Sequence, residues 1–193
     1  MDNEQSQPFT GKNSWEELAA QVKELIANRE LERAEIVALQ ALAVAETFSL
    51  DDRRQGVSLE LLTEILYQTK NYPYCAPFLV RLLEMYKRCL GPGHPDTGTI
   101  MHNVAMLYHS WGKYSEADYY YREAIKAKSK HFNKDSPEIA DVTKHYAQLR
   151  EAMVPETTPT RIAIQRVTNK LRRTGQFAAM TKNIPDDEFT TDG

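Results

Sequence analysis

Two proline-bearing stretches of the chain repeat at a fixed distance: LGPGHPD at residues 90–96 and a weaker copy, FNKDSP, at residues 132–137. Pro95 and Pro137 are in register 42 residues apart, and WGKYSEA at residues 111–117 lies between them as a turn that joins two helical patterns. Self-similarity with a period of this length is typical of arrays of helical repeats. Such arrays present long concave surfaces, so the spacing favours a binding function over a buried catalytic pocket.

Small residues keep the same period. Ala105 and Ala147 are 42 residues apart, as are Cys75 and Ala117, while Ala34 matches Ala117 at an offset of 83 because the first unit is one residue short. Small residues are needed where helix backbones cross closely, and larger apolar side chains fill the space around them. The alternation therefore predicts an all-α fold built from packed helix pairs.

The third unit resembles a tetratricopeptide repeat. Its first helix, MHNVAMLY at residues 101–108, is followed by GKYSEA at residues 112–117, and the 42-residue length and the LGPGHPD linker resemble the kinesin-light-chain type. The resemblance covers residues 14–153 and weakens towards the N-terminus; in the second unit Lys70 stands where the third has Gly112. It implies a right-handed α-solenoid of antiparallel helix pairs, with about three and a half tetratricopeptide units and a C-terminal capping or tail helix.

The limits of the repeat units define the domain organisation. We predict a disordered leader, a repeat array of three units and a half unit, and a tail that changes from basic to acidic. The predicted boundaries are 1–13 for the leader, 14–48, 49–90, 91–132 and 133–153 for the array, and 154–193 for the tail, with one helix at about 160–173.

One predicted helix carries both cysteines and a proline. Cys75 and Cys89 are separated by fourteen residues, or about 20 Å along a helix, which is too far for a disulfide bond. Pro77 is expected in the first turn of this helix, where a missing N–H removes no helical hydrogen bond. Both cysteines are predicted to be small buried apolar residues rather than a reactive thiol pair.

Composition excludes several classes of protein. The 193 residues are 41% hydrophobic and 26% charged with a net charge of −3, which is ordinary for a globular protein and gives no global attraction to nucleic acid. No apolar run approaches the length of a membrane span, and the polar start of the chain is unlike a signal peptide, so we expect a cytoplasmic protein. No phosphate loop, nucleophile elbow or acid–base pair is present, and we predict no enzyme activity and no cofactor.

The resemblance implies that the first helix of each unit lines a concave groove that holds a peptide. Asn103 stands where family members contact the ligand backbone with a side-chain amide, which both donates and accepts hydrogen bonds. The groove mixes acids with Lys144 and histidines and lacks the paired lysine and arginine of a carboxylate clamp, so we disfavour binding of a chaperone C-terminus. The predicted groove residues are Glu60, Glu64, Tyr67, Thr99, His102, Asn103, Met106, His109, Lys144, His145 and Gln148, and the last helix offers Asp141 as well.

The histidines of this groove raise the question of a metal site. His102 and His109 are seven residues apart, about 10 Å along the helix axis, too far to share an ion held by bonds near 2 Å. Helical zinc ligands usually lie at positions i and i+4, and Met106 occupies the intervening place. The sequence therefore predicts no metal site.

The tail carries a cluster of cations: Arg161, Arg166, Lys170, Arg172 and Arg173, with no acid from residue 161 to 182. Three interpretations stay open. The segment packs as a helix that caps the open end of the array, it docks on an acidic partner or a membrane surface, or it is disordered.

Two functions of different classes fit these observations. The first is a non-catalytic scaffold or adaptor that binds a peptide segment of a partner protein in its concave groove. The alternative is a regulatory or structural subunit that self-associates as a homodimer or docks on a larger complex, a membrane or nucleic acid through the basic tail. Salt dependence separates them, because binding through the tail weakens steeply with salt.

Overall fold

The computed structural model describes residues 14–154, and every regular element in this range is an α-helix. The chain divides into two compact units, Met1–Leu149 and Arg150–Gly193, and only residues 150–154 of the second are described. The helices are α1 (Trp15–Ala27), α2 (Leu31–Ala45), α3 (Arg53–Gln68), α4 (Tyr72–Leu90), α5 (Pro95–Ser110), α6 (Tyr114–Lys128) and α7 (Pro137–Met153). The predicted all-α solenoid of helix pairs is confirmed. The predicted leader and the tail helix at 160–173 lie outside the described residues.

Several helices begin at residues whose side chains accept a hydrogen bond from the first turn. Ser14 and Glu17 form a capping box at α1, and the Asp52 carboxylate accepts from the Arg54 N–H at α3. In the LGPGHPD linker, the His94 ring nitrogen Nδ1 accepts from the Asp96 N–H, and the proline after His94 is the first residue of α5. The repeated linker is therefore a helix start, which explains why its proline recurs with the period.

The small residues that carry the period lie in the core. Ala34, Cys75 and Ala117 are buried at equivalent points of α2, α4 and α6, and Ala105 is buried in α5. Ala147 is exposed. The reason is that, among the described residues, no second helix follows α7 to complete its repeat unit and cover Ala147. Burial of small side chains lets neighbouring helices approach closely, as the sequence pattern predicted.

A residue with positive φ reverses the chain inside each of the first three units. Arg29, Lys70 and Gly112 have φ values of 63°, 59° and 78°. In the third unit the Lys113 N–H donates to the Tyr108 carbonyl at 2.8 Å, which closes the helix end as a Schellman motif. The equivalent bonds from Glu30 to Leu25 and from Asn71 to Leu66 are each 2.9 Å. Only the third unit meets this left-handed requirement with glycine, the residue that adopts it without steric cost.

The prediction that Pro77 lies in the first turn of its helix is wrong, because Pro77 lies in the second turn. The helix α4 already begins at Tyr72 and has Pro73 in its first turn, so Pro77 lies in the helix interior. The missing N–H of Pro77 therefore leaves the Pro73 carbonyl without its helical partner. The error arose because the sequence offers two prolines and the first of them is the one at the helix start.

None of the helices within residues 14–154 combines the length and the apolar character that crossing a membrane requires.

Replacement of the left-handed Lys70 by glycine should stabilise the array. We expect Lys70→Gly to raise the free energy of unfolding by about 0.5–1 kcal/mol, because it relieves the Cβ clash at positive φ. Gly112→Ala should lower it by about 1 kcal/mol for the same reason. Urea denaturation followed by circular dichroism measures both changes.

The matched control is Lys23→Gly, at an exposed lysine inside α1. Glycine inside a helix should cost about 1 kcal/mol there. Equal destabilisation by Lys70→Gly and Lys23→Gly would show that the turn position carries no strain.

Candidate functional site

A pocket of about 510 Å³ opens between α3, α4 and α5. The first helices of two successive units form its walls, and α4 contributes to its floor. Six predicted groove residues line this one pocket, three from α3 and three from α5: Glu60, Glu64, Tyr67, Thr99, Asn103 and Met106. On each wall they are spaced i, i+4 and i+7, so each set lies on a single helix face.

The floor of the pocket is apolar and buried. Leu79 and Leu82 of α4 and Ile100 of α5 form it, together with the Cys75 side chain, whose thiol donates a hydrogen bond to the Thr63 carbonyl at 3.4 Å. Burial raises the pKa of Cys75 to about 11. The thiol is therefore part of the apolar surface and not a nucleophile.

The rim of the pocket is acidic. Glu60, Glu64 and Asp96 are exposed around the opening, and no lysine or arginine is among the described residues that line it. The Tyr86 hydroxyl donates to Glu60 Oε1 at 2.7 Å, and burial together with this carboxylate raises the pKa of Tyr86 to about 12. The hydrogen bond fixes the Glu60 carboxylate beside the Tyr86 hydroxyl at the rim of the pocket.

A second pocket of about 480 Å³ adjoins the first, because Glu60, Tyr86 and Asp96 line both. It extends along α3 and the C-terminal half of α4, where Arg53 contributes a cation and Met85 an apolar wall. The two pockets together form one continuous groove along α3, α4 and α5.

On the side of α5 that faces α7, side chains of the two helices contact each other. His102 is only 4% exposed, and its Nε2 lies 3.2 Å from His145 Nδ1 on α7. Burial lowers the pKa of His102 to about 4. His109 contacts the Tyr121 hydroxyl at 3.4 Å, and burial lowers its pKa as well. Tyr146 of α7 donates to Asp118 at 2.8 Å.

The predicted groove residues therefore fall into two groups. His102, His109, Lys144, His145 and Gln148 line neither pocket, and His102 is buried instead of exposed as predicted. The reason is that each first helix has two neighbours: one face of α5 meets α3 and the other meets α7. The predicted tail residues Arg161, Arg166, Lys170, Arg172 and Arg173 lie outside the described residues.

Asp96 and Tyr86, which line both pockets, are among the groove residues that the sequence analysis missed. Asp96 lies on the same helix face as Thr99, Asn103 and Met106, three residues before the first of them, so the spacing of that face was a sufficient signal. No sequence signal pointed to Tyr86 as a groove residue, because the apolar periodicity of α4 places it at an ordinary core position.

The fold and the groove define a helical repeat protein with an open groove along its first helices. Comparison with known families agrees, since residues 58–130 match the family model for the tetratricopeptide repeat. Residues 58–130 are therefore similar to the tetratricopeptide repeat family, as the sequence predicted for this part of the chain.

Solved structures of other repeat proteins are similar in fold. BtubC (BKLC) from P. vanneervenii has 12% identity and a TM-score of 0.66, with 93% of this chain and 68% of that chain covered. Nearly identical TPR-like repeats of a putative kinesin light chain from Podosopora anserina have 14% identity and a TM-score of 0.62, with 87% and 90% covered. A single-residue variant of the latter has a TM-score of 0.63 at the same identity and coverage. No curated protein sequence matches the chain.

The two cysteines should differ in reactivity. Both are free, which agrees with the prediction that they do not pair. The prediction that both are buried is wrong for Cys89, which is exposed because it lies near the end of α4 and lines the second pocket. A pKa of about 11 for Cys75 leaves on the order of 0.1% thiolate at pH 8. We expect a chromogenic disulfide reagent at that pH to titrate one thiol per chain within minutes.

The variants assign that thiol. Cys89→Ser should abolish the fast reaction, and Cys75→Ala should leave it unchanged. Two thiols that react at similar rates would contradict a closed pocket floor.

Proposed function

We propose that this chain is a non-catalytic interaction scaffold that holds an extended or helical segment of a partner protein in the groove between α3 and α5. Tetratricopeptide repeats suggest a protein-interaction scaffold in general, and the groove is the proposal specific to this chain. The observation that carries it is the convergence of six predicted residues on one open pocket.

The apolar floor supplies an anchoring point for the partner. Leu79, Leu82 and Ile100 offer a buried surface at the bottom of a pocket large enough for one or two side chains. Apolar or aromatic anchors in such pockets contribute most of the affinity at interfaces of this kind. We therefore infer that the bound segment inserts an apolar side chain.

The acidic rim selects the charge of the partner. Glu60, Glu64 and Asp96 would attract a lysine or arginine beside the anchor and repel an acidic segment or a free C-terminal carboxylate. This agrees with the absence of a carboxylate clamp from the sequence. The inferred ligand is a basic segment with an apolar anchor.

Asn103 is placed to hold the backbone of such a segment. Its exposed side chain lies on the α5 wall of the pocket beside Met106. A carboxamide donates and accepts at once, so it matches a peptide group of any sequence. Backbone recognition by Asn103 and charge recognition by the rim are therefore separate contributions to binding.

Selection from a peptide library displayed on phage tests the proposal. We expect the enriched peptides to carry lysine or arginine next to an apolar residue. In fluorescence polarisation with a labelled enriched peptide, Glu60→Gln together with Glu64→Gln should weaken binding by about tenfold or more, because two charge-assisted contacts are lost. Asn103→Ala should weaken it independently of salt.

The matched control removes two acidic side chains from the second helices of two repeat units. Glu32→Gln with Glu116→Gln takes the same charge from exposed positions of α2 and α6 that line neither pocket. The groove assignment would be overturned if the Glu60→Gln, Glu64→Gln variant and Asn103→Ala both kept the natural affinity, or if the control lost as much affinity as they do. The cytoplasmic location, the homodimer and the docking role of the basic tail stay predictions of the sequence.

A further inference from the structure

Three ligand-type side chains from two units meet at the C-terminal end of the repeat array. His102 belongs to α5, and Asp141 and His145 belong to α7, where they are spaced i and i+4 on one helix face. His102 Nε2 lies 3.2 Å from His145 Nδ1, and Asp141 Oδ1 lies 3.6 Å from His145 Nδ1. One ligand atom from each of the three residues lies within 4.8 Å of the others.

These separations fit coordination of one metal ion. Bonds of 2.0–2.1 Å at tetrahedral angles place two ligand atoms about 3.3 Å apart, close to the 3.2 Å between the two imidazole nitrogens. The Asp141 oxygen lies 3.6 Å from His145 Nδ1 and within 4.8 Å of the His102 ligand atom, so coordination requires this exposed side chain to turn towards the ion.

The charges around the cluster suit a cation as well. The Asp141 carboxylate lies 3.7 Å from His102 Nδ1 and 3.6 Å from His145 Nδ1. The Lys128 ammonium repels a cation, and the Asp141 charge opposes that effect.

We infer that His102, Asp141 and His145 form a binding site for a divalent transition-metal cation of the zinc class. Two imidazoles and one carboxylate are a donor set that zinc, cobalt and nickel ions accept. Three protein ligands leave a fourth position for water or a donor atom from a partner. Neither the peptide groove nor the family comparison assigns this site.

The bound ion would join two units of the array. His102 reaches it from the third unit, and Asp141 and His145 reach it from the terminal helix α7, so the cation would hold α7 against α5. Because the ligands come together only in the folded array, binding should stabilise the native state.

Titration of the full chain, freed of any polyhistidine tag, with Co²⁺ and Zn²⁺ tests the inference. We expect one equivalent of Co²⁺ to give the intense visible absorption of a four-coordinate site, and Zn²⁺ to displace it and raise the melting temperature. Asp141→Asn and His145→Gln should each lower the Zn²⁺ affinity by about tenfold or more and remove the thermal shift. Both replaced side chains are more exposed than His102, and circular dichroism checks that the variants fold.

The matched control is His131→Gln, which removes an exposed imidazole outside the cluster and should bind Zn²⁺ like the natural chain. Absence of a saturable equivalent of Co²⁺, or equal affinity in His145→Gln and His131→Gln, would overturn the metal site.

Discussion

The structure depends on a chain reversal that only a left-handed residue allows. Arg29, Lys70 and Gly112 each end a first helix with positive φ, and a hydrogen bond from the next residue closes the turn. This geometry brings the second helix antiparallel to the first and sets the buried small residues of α2, α4 and α6 against their neighbours. The conformation is kept in two units by residues for which it is sterically unfavourable, which indicates that packing of the helix pair outweighs about 1–2 kcal/mol of local strain.

Stacking of the pairs then brings the first helices of neighbouring units into contact at a constant offset of 43 residues. Trp15 donates to Ser58 at 2.8 Å, and Tyr67 and Ser110 are hydrogen-bonded at 2.9 Å. His102 and His145 repeat the same relation at 3.2 Å. The same contact between first helices is thus a hydrogen bond that joins the units in the first two cases. In the third case it brings together donors of the proposed metal site.

The two proposed functions use successive spaces of the same kind. Between α3 and α5 the space is open, with an apolar floor and an acidic rim, which suits a basic peptide segment. Between α5 and α7 side chains of the two helices meet, and two imidazoles and a carboxylate suit a cation. The chemistry differs because Glu60 of one unit is replaced by His102 of the next, while the backbone arrangement is repeated.

The sequence by itself determined the helical array, because a 42-residue period with recurrent small residues at close helix crossings is typical of helical repeats. It also indicated Glu60, Glu64, Tyr67, Thr99, Asn103 and Met106 as one surface, since each set of three shares a helix face. Only the tertiary structure decided that His102 is buried and lies against Asp141 and His145. Periodicity gives the face of a helix on which a side chain lies, but not which neighbouring helix covers that face, and a first helix in a stacked array has a neighbour on each side.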